Sequence, residues 1–217
     1  FRTVQRPARV GQWMLDQKGE PRLAIAREQG VTTIHYLDPA NEQWRVLSTY
    51  STYHGGKAAF TPIGFGTDGT LFATAYGDGD TARLVTIDLA SGKPDPEPVV
   101  ITTGYDFTGG LVRSGDKVLG VRIRADADGI VWFDPAMEAA QKKLDARLPG
   151  TINLMSFPSG THEQWALVRS FSDVKPLVFY VYDIATGAID KVGDTHPGID
   201  PARMGQQDVV RYKARDG

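Results

Sequence analysis

Short runs of β-branched and aromatic residues recur along the chain, and four of these runs end on an aspartate that precedes a turn. The four runs are IHYLD at 34–38, LVTID at 84–88, IVWFD at 130–134 and FYVYD at 179–183. Their aspartates are 50, 46 and 49 residues apart. A repeat of about 40–50 residues, with room for four short strands, is typical of a β-propeller blade. The pattern therefore predicts an all-β fold, a partial β-propeller of about four four-stranded antiparallel blades.

The turn signals divide residues 1–194 into four predicted units, at about 11–49, 58–101, 107–148 and 151–192. Asp68-Gly69 is typical of a hairpin turn, because glycine accepts the positive φ that such turns require. Residues 195–217 are predicted to form an irregular exit segment, in which residues 209–212 are a candidate for one further strand. One stretch differs from the rest: residues 137–146 consist largely of strong helix formers and predict a short helix. Pro149-Gly150 would end it.

Composition narrows the possible functions. The chain has 217 residues, within the size that a single all-β unit can reach, and its 24 glycines and 13 prolines imply many turns. A net charge of −2 gives no general attraction to nucleic acid or to an anionic membrane, and no apolar run is long enough to span a bilayer. The absence of cysteine excludes disulfides, thiolate metal sites and a cysteine nucleophile.

The sequence predicts no catalytic residue. An α/β-hydrolase nucleophile needs a glycine two positions on either side, and no serine has this setting. The candidates considered are Ser114, Ser159 and Ser172 as nucleophiles, and His35, His54, His162 and His196 as bases. Two acidic turns, at 77–80 and 126–129, are interpreted as turns rather than metal sites, since the second lacks the glycine and glutamate of a calcium loop. We therefore expect no metal or cofactor.

Three groups of residues are weaker candidates for binding. The polar, glycine-flanked tract at 49–56 lies between two units and is either a structural linker or a binding loop, with the linker favoured. Aromatic residues within the strands are predicted to pack in the core: Tyr36, Trp132, Phe133, Tyr180 and Tyr182. Four arginines could face a pore or lie on solvated strand faces: Arg113, Arg122, Arg124 and Arg169.

From residue 11 onward the chain resembles the β-propeller region of bacterial prolyl oligopeptidase-family serine peptidases, the group of acylaminoacyl and dipeptidyl peptidases. The resemblance rests on residues 13–24, on 132–150 including the predicted helix, and on 170–183 with the final 211–217. The phrase YKARDG at 212–217 is its most specific part, because a similar phrase opens the hydrolase domain in that family.

The resemblance implies a non-catalytic propeller that caps an α/β-hydrolase active site and admits short peptides. The nucleophile, aspartate and histidine would lie beyond residue 217, and further blades would precede the four predicted units. No counterpart of the paired glutamates of dipeptidyl peptidases is present, so exopeptidase specificity has no support. The hydrolase domain of the parent chain and peptides in transit are the expected partners, with no nucleic acid and no membrane.

Two alternatives remain open at this stage. The first is a free-standing propeller that serves as a protein-binding scaffold. The second is a propeller enzyme such as a glycosidase or lactonase, which would need a convergent set of carboxylates or metal ligands that the sequence does not show. An incomplete ring would expose its edges, so the chain is expected to close atypically, to associate with another copy or to aggregate. Because the chain begins at Phe1, it is interpreted as a processed or excised segment of a bacterial protein, periplasmic rather than cytoplasmic by a slight preference.

Overall fold

The computed structural model describes residues 3–115, 117–158, 164–210, 212, 213 and 215. The chain folds into two compact units. The first comprises Phe1–Leu111 with Asp116–Val118, and the second comprises Val112–Gly115 with Leu119–Gly217. Each unit is described by itself below.

Strands dominate both units. The strands are β1 (Val10–Leu15), β2 (Pro21–Glu28), β3 (Val31–Leu37), β4 (Trp44–Ser51), β5 (Thr61–Phe65), β6 (Leu71–Ala75), β7 (Arg83–Asp88), β8 (Lys93–Pro94), β9 (Gly109–Ser114), β10 (Lys117–Arg124), β11 (Asp128–Trp132), β12 (Ile152–Ser156), β13 (Trp165–Phe171), β14 (Val178–Asp183) and β15 (Ile189–Asp194). The helices are α1 (Pro135–Arg147) and a single 3₁₀ turn at Pro201–Arg203.

The strands form four antiparallel sheets in which neighbours in sequence are neighbours in space. The orders are β1-β2-β3-β4, β5-β6-β7-β8, β11-β10-β9 and β12-β13-β14-β15. This is the all-β architecture that the repeat predicted. Within the described residues, the third sheet has three strands rather than four, and α1 follows it along the chain. The outer strand of the second sheet, β8, is only two residues long.

The first unit is held together by apolar side chains that project from alternate positions of its strands. Leu23, Ile25 and Ile34 of the first sheet share one buried cluster with Leu71 and Val85 of the second. Leu23, Ile34 and Leu71 are fully buried. Burial of apolar area at about 25 cal/mol per Å² makes such a shared cluster the main source of stability for the unit.

In the second unit, α1 takes part in the core. Its Ala140 and Leu144 lie in one cluster with Met155, Val168 and Tyr182 of the fourth sheet. Ile130, Trp132 and Phe157 pack against this cluster from its edge. The helix predicted at 137–146 is confirmed, with a start two residues earlier because Asp134 caps it and Pro135 occupies its first turn.

The four repeat aspartates have the same structural role. Each accepts a hydrogen bond from the backbone N–H of an alanine two residues later, and so closes the turn after its strand. The pairs are Asp38 Oδ1 with Ala40 N at 2.9 Å, Asp88 Oδ1 with Ala90 N at 2.9 Å, Asp134 Oδ1 with Ala136 N at 2.8 Å, and Asp183 Oδ1 with Ala185 N at 2.9 Å. The recurring sequence feature is therefore a turn device, and these carboxylates are committed to backbone donors.

In the first unit, one glycine lets the β7–β8 turn approach strand β4 closely. Gly92 has a φ of +70°, and a Cβ at this position would lie 1.8 Å from the carbonyl oxygen of Leu47. Gly92 also donates its backbone N–H to the Asp88 carbonyl at 2.7 Å. Any side chain would therefore force the β7–β8 turn away from β4.

Two sequence-based boundaries need correction. Residues 49–51, predicted as part of a loop, are the last three residues of β4, where they pair with β3. Val209 and Val210, predicted to start another strand, lie outside any strand and are 60% and 82% exposed. Without a neighbouring strand to pair with, their β-branched side chains do not suffice to form one. Arg211, in the same prediction, lies outside the described residues.

Substituting Gly92 by alanine should destabilise the chain strongly, because it adds a clash with the Leu47 carbonyl to the strain of a positive φ. Gly19 is the matched control, since it has a φ of +78° but nothing within 4 Å of an added Cβ. We expect Gly92→Ala to lower the free energy of unfolding by at least about 2 kcal/mol more than Gly19→Ala. Urea denaturation measures both. Equal losses would show that the loop yields freely.

Removing the turn acceptor at Asp183 should also destabilise. Its Oδ1 accepts two backbone hydrogen bonds at 2.9 Å, from Ala185 and Thr186, and the residue is only 6% exposed. We expect Asp183→Ala to cost about 1–2 kcal/mol, and Asp183→Asn to cost less because the amide oxygen can still accept. Asp190→Ala, at an exposed position of β15, is the control for the loss of a carboxylate. Denaturant midpoints of Asp183→Ala and Asp190→Ala that coincide would contradict this role.

The same device makes stability depend on pH in the acid range. Hydrogen bonds from Ser91 and then Ala90 lower the pKa of Asp88 below its ordinary value. A carboxyl whose pKa is lower in the folded state contributes stability that is complete above its unfolded pKa, about 4, and that is lost as the pH falls through the folded pKa. Asp88→Asn keeps an acceptor but does not titrate. Its unfolding free energy should therefore fall less between pH 5 and pH 2 than that of the wild type, in denaturation series at each pH; parallel curves would refute the assignment.

Candidate functional site

The structure separates the histidines and serines considered as catalytic groups. His35 lies in β3, half-buried, and burial lowers its pKa. His54 is exposed and donates its backbone N–H to Ser51 Oγ, and His196 is exposed with its Nδ1 3.0 Å from Thr195 Oγ1. Ser172 Oγ accepts from the backbone N–H groups of Val174 and Lys175, as in a turn. Ser159 and His162 lie outside the described residues.

Ser114 lies at the end of β9 and is 3% exposed. A serine at this depth is not presented to a substrate, in contrast to the exposed nucleophile of a strand-to-helix elbow.

The two acidic turns are occupied by local interactions. Asp128 binds Arg124 through both carboxylate oxygens, with Nε–Oδ1 at 2.7 Å and Nη2–Oδ2 at 3.3 Å. Asp78 pairs with Lys57 at 2.6 Å, and both side chains are largely exposed. Among the described residues, no group of three or more histidine, aspartate or glutamate side chains could hold a metal ion. The same described ranges contain no helix long and apolar enough to cross a membrane.

The tract at 49–56 is tied to its own sheet. Tyr50 donates its hydroxyl to the Phe60 carbonyl at 2.7 Å, and the Thr32 and Thr52 hydroxyls are 2.8 Å apart. Gly55 and Gly56 both have positive φ, which only a glycine adopts without strain. Tyr53, in contrast, is 84% exposed. The contacts support the interpretation as a linker, with one aromatic ring left at the surface.

The strand aromatics contribute mainly to packing. Tyr36 and Tyr182 are buried, and the guanidinium carbon of Arg45 lies 5.1 Å from the centre of the Tyr36 ring, at cation–π distance. Trp132 and Phe157 meet edge to face, with ring centroids 6.3 Å apart. Tyr180 is half-buried. Phe133 follows the last residue of β11 and is 37% exposed, so its prediction as a core residue within a strand is wrong.

The arginines differ from one another in their surroundings. Arg124 is exposed and satisfied by Asp128. Arg113 in β9 and Arg122 in β10 are half-buried, and burial lowers the pKa of both. The positive charge of Arg169 in β13 lowers the pKa of Arg122 further, whereas Asp128 raises it. For Arg122, burial and a neighbouring positive charge thus both disfavour the charged form.

Two cavities were not anticipated from the sequence. In the second unit, a cavity of about 1010 Å³ is lined by residues 124–128, 150–152, 171–173 and 207–209. Its wall includes the exit segment, which is held by a hydrogen bond of 3.2 Å from Gln207 N to Asp173 Oδ2. In the first unit, a cavity of about 520 Å³ is bordered by Arg83, Lys57 and the proline-rich residues 94–98. Strand and loop residues far apart in sequence form both cavities, so no local motif marks them.

Comparison with known proteins places this architecture among peptidase propellers. No protein-family model matches the sequence. Dipeptidyl aminopeptidase BIII of Pseudoxanthomonas mexicana is 30% identical over 161 residues, which are 72% of this chain and 22% of that protein. The chain thus spans about a fifth of the length of this relative.

Two solved structures align with this chain, and the better of the two alignments supports the fold. A puromycin hydrolase mutant complexed with PGG aligns over 94% of this chain and 32% of its own, with a TM-score of 0.55 and 16% identity. One of two prolyl endopeptidases studied for inter-domain dynamics aligns over 87% of this chain and 27% of its own, with a TM-score of 0.48 and 17% identity. The first of these alignments confirms the predicted propeller-type architecture. On the sequence match and this fold together, the chain is related to the β-propeller region of prolyl oligopeptidase-family serine peptidases.

Proposed function

We propose that this chain is a non-catalytic part of the propeller of a serine peptidase, which caps the hydrolase active site and restricts access to short peptides. The observation that carries the proposal is the 30% identity to a dipeptidyl aminopeptidase over most of the chain, on a fold made of antiparallel sheets of three or four strands. Related propellers pair with α/β-hydrolase domains in their parent enzymes. The hydrolytic groups are accordingly assigned to such a domain of the same polypeptide.

The polar groups of the chain support a structural role. The repeat aspartates bind backbone donors, Asp128 binds Arg124, and Ser172 caps a turn. A hydrolase needs a nucleophile within hydrogen-bond reach of a base, and a base held by a third group. Of the serines considered as nucleophiles, Ser114 is buried and Ser172 caps a turn, which suits a wall of a reaction chamber rather than its chemistry.

The domain boundaries follow from this assignment and stay predictions. Residues 1–194 would form blades, at about 11–49, 58–101, 107–148 and 151–192, and residues 195–217 would lead into the hydrolase domain. Acylaminoacyl-peptidase specificity, a periplasmic location and self-association through exposed sheet edges likewise stay predictions. A free-standing protein-binding scaffold is the alternative that the following experiment separates.

A fluorophosphonate probe, which labels activated serines covalently, tests where the nucleophile lies. We expect no labelling of this chain and no hydrolysis of short peptide substrates by it, because the proposal assigns the nucleophile to the hydrolase domain. Protein expressed from the same reading frame continued past Gly217 should be labelled and active, and replacing the serine of a Gly-x-Ser-x-Gly elbow in the added part by alanine should abolish both.

Labelling of this chain alone would refute the non-catalytic assignment. A reading frame that stops without a hydrolase domain, together with an unlabelled product, would favour the scaffold instead. These two results can be told apart, because only labelling of this chain places a reactive serine within these residues.

A further inference from the structure

One face of the third sheet carries buried hydrogen-bond donors without acceptors. In the β10–β11 register, Arg122 is opposite Ile130, and Gly120 is opposite Trp132, so Arg122 and Trp132 are diagonal neighbours on the same face. The Nε of Arg122 and the Nε1 of Trp132 are both buried and have no hydrogen-bond partner among the described residues. Buried donors are normally satisfied, so two orphans on one face indicate an acceptor that is not part of this chain.

The carboxylate that acts on Arg122 is already hydrogen-bonded to another arginine. Asp128 raises the pKa of Arg122, which places it within electrostatic range. Both of its oxygens, however, receive hydrogen bonds from Arg124, at 2.7 Å and 3.3 Å. Asp128 therefore leaves the Arg122 Nε unsatisfied.

A second positive charge near Arg122 adds to the excess of positive over negative charge around it. Arg169, opposite Leu154 in the β12–β13 register, lowers the pKa of Arg122, so its positive charge lies within electrostatic range of that guanidinium group. Half-buried like charges are unfavourable, because burial weakens the solvation of each while their repulsion is screened less than in water. An anion between them would relieve both costs. Guanidinium groups suit oxyanions best, because their planar N–H forks match two oxygens at once.

We propose that Arg122 and Arg169 form a binding site for an oxyanion, a carboxylate or phosphate group, in the second unit. The unsatisfied indole N–H of Trp132 lies on the same face and offers a further donor. The site does not depend on the proposed peptidase function. Its occupant is either the terminal carboxylate of a peptide or a free inorganic oxyanion, and these sources can be distinguished by experiment.

The test measures the thermal midpoint and the affinity of this chain with three probes at constant ionic strength. The probes are N-acetyl-trialanine with a free carboxylate, its C-terminal amide, and inorganic phosphate. An anion that binds the folded state should raise the midpoint with concentration. We expect Arg122→Gln and Arg169→Gln each to weaken binding at least about tenfold, the usual consequence of losing a charge-assisted hydrogen bond. Arg203→Gln, which removes an exposed charge in the 3₁₀ turn, should leave binding unchanged.

The outcomes separate the source of the anion from the existence of the site. Binding of the acid but not of the amide supports the site with a peptide carboxylate as ligand, whereas binding of phosphate alone supports it with an inorganic oxyanion. No binding by any probe overturns the proposal. Equal losses in Arg122→Gln and Arg203→Gln also overturn it, because they indicate non-specific attraction.

A structural role for Arg122 is tested without any probe. If Arg122 serves to bind an anion, Arg122→Gln removes a like-charge repulsion from the free protein. The thermal midpoint of the free protein should then stay the same or rise. A clear fall of this midpoint, with probe binding retained, would show that Arg122 supports the fold instead. Far-UV circular dichroism verifies that each variant remains folded.

Discussion

Each sheet depends on one interaction, the hydrogen bond that a strand-ending aspartate accepts from the backbone N–H two residues later. A meander of short strands must reverse direction after every strand, and each reversal leaves backbone N–H groups without ladder partners. A carboxylate at the end of the strand accepts these donors immediately, as Asp183 does for Ala185 and Thr186. In the third sheet the same acceptor begins a helix, since Asp134 caps α1 through Ala136 and Met137. One local device therefore serves two different continuations of the chain.

The second constraint comes from close packing: where two backbone segments touch, the residue at the contact must be a glycine. A Cβ on Gly92 would overlap the Leu47 carbonyl, and a Cβ on Gly120 would lie 2.4 Å from the Val131 carbonyl oxygen. The two glycines differ in cause. Gly92 needs both its positive φ and its small size, whereas Gly120 sits in a regular strand and is required by the approach of β11 alone. The strands can pack closely enough to form the apolar clusters because no Cβ is present at these two contacts.

The sequence predicted the parts that depend on local pattern. Strand alternation, the Asp68-Gly69 hairpin and the helix around Leu144 all follow from propensity and periodicity, which neighbouring residues determine. The prediction for Val209 and Val210 was wrong because a strand also needs a partner, and partners are not written in the local sequence. The depth of Arg122 and the cavity beside the exit segment depend on residues from different sheets and loops, so no window of sequence reveals them. The role of the aspartates was visible as a repeat, but their hydrogen bonds became clear only with the geometry.

The contrast between the aspartates and the arginines indicates where a propeller-type chain can carry specificity. A repeated fold uses its acidic groups to close turns, and a group held by two backbone donors is a poor acceptor for a ligand. Guanidinium groups can only donate, and in these turns they bind carbonyl oxygens: Arg45 donates to the Leu89 carbonyl and Arg147 to the Gly187 carbonyl. The Nε of Arg122, in contrast, has no partner among the described residues and is left for an acceptor from outside the repeat. The chemistry available for recognition is therefore found where the turns and sheets leave a polar group without a partner.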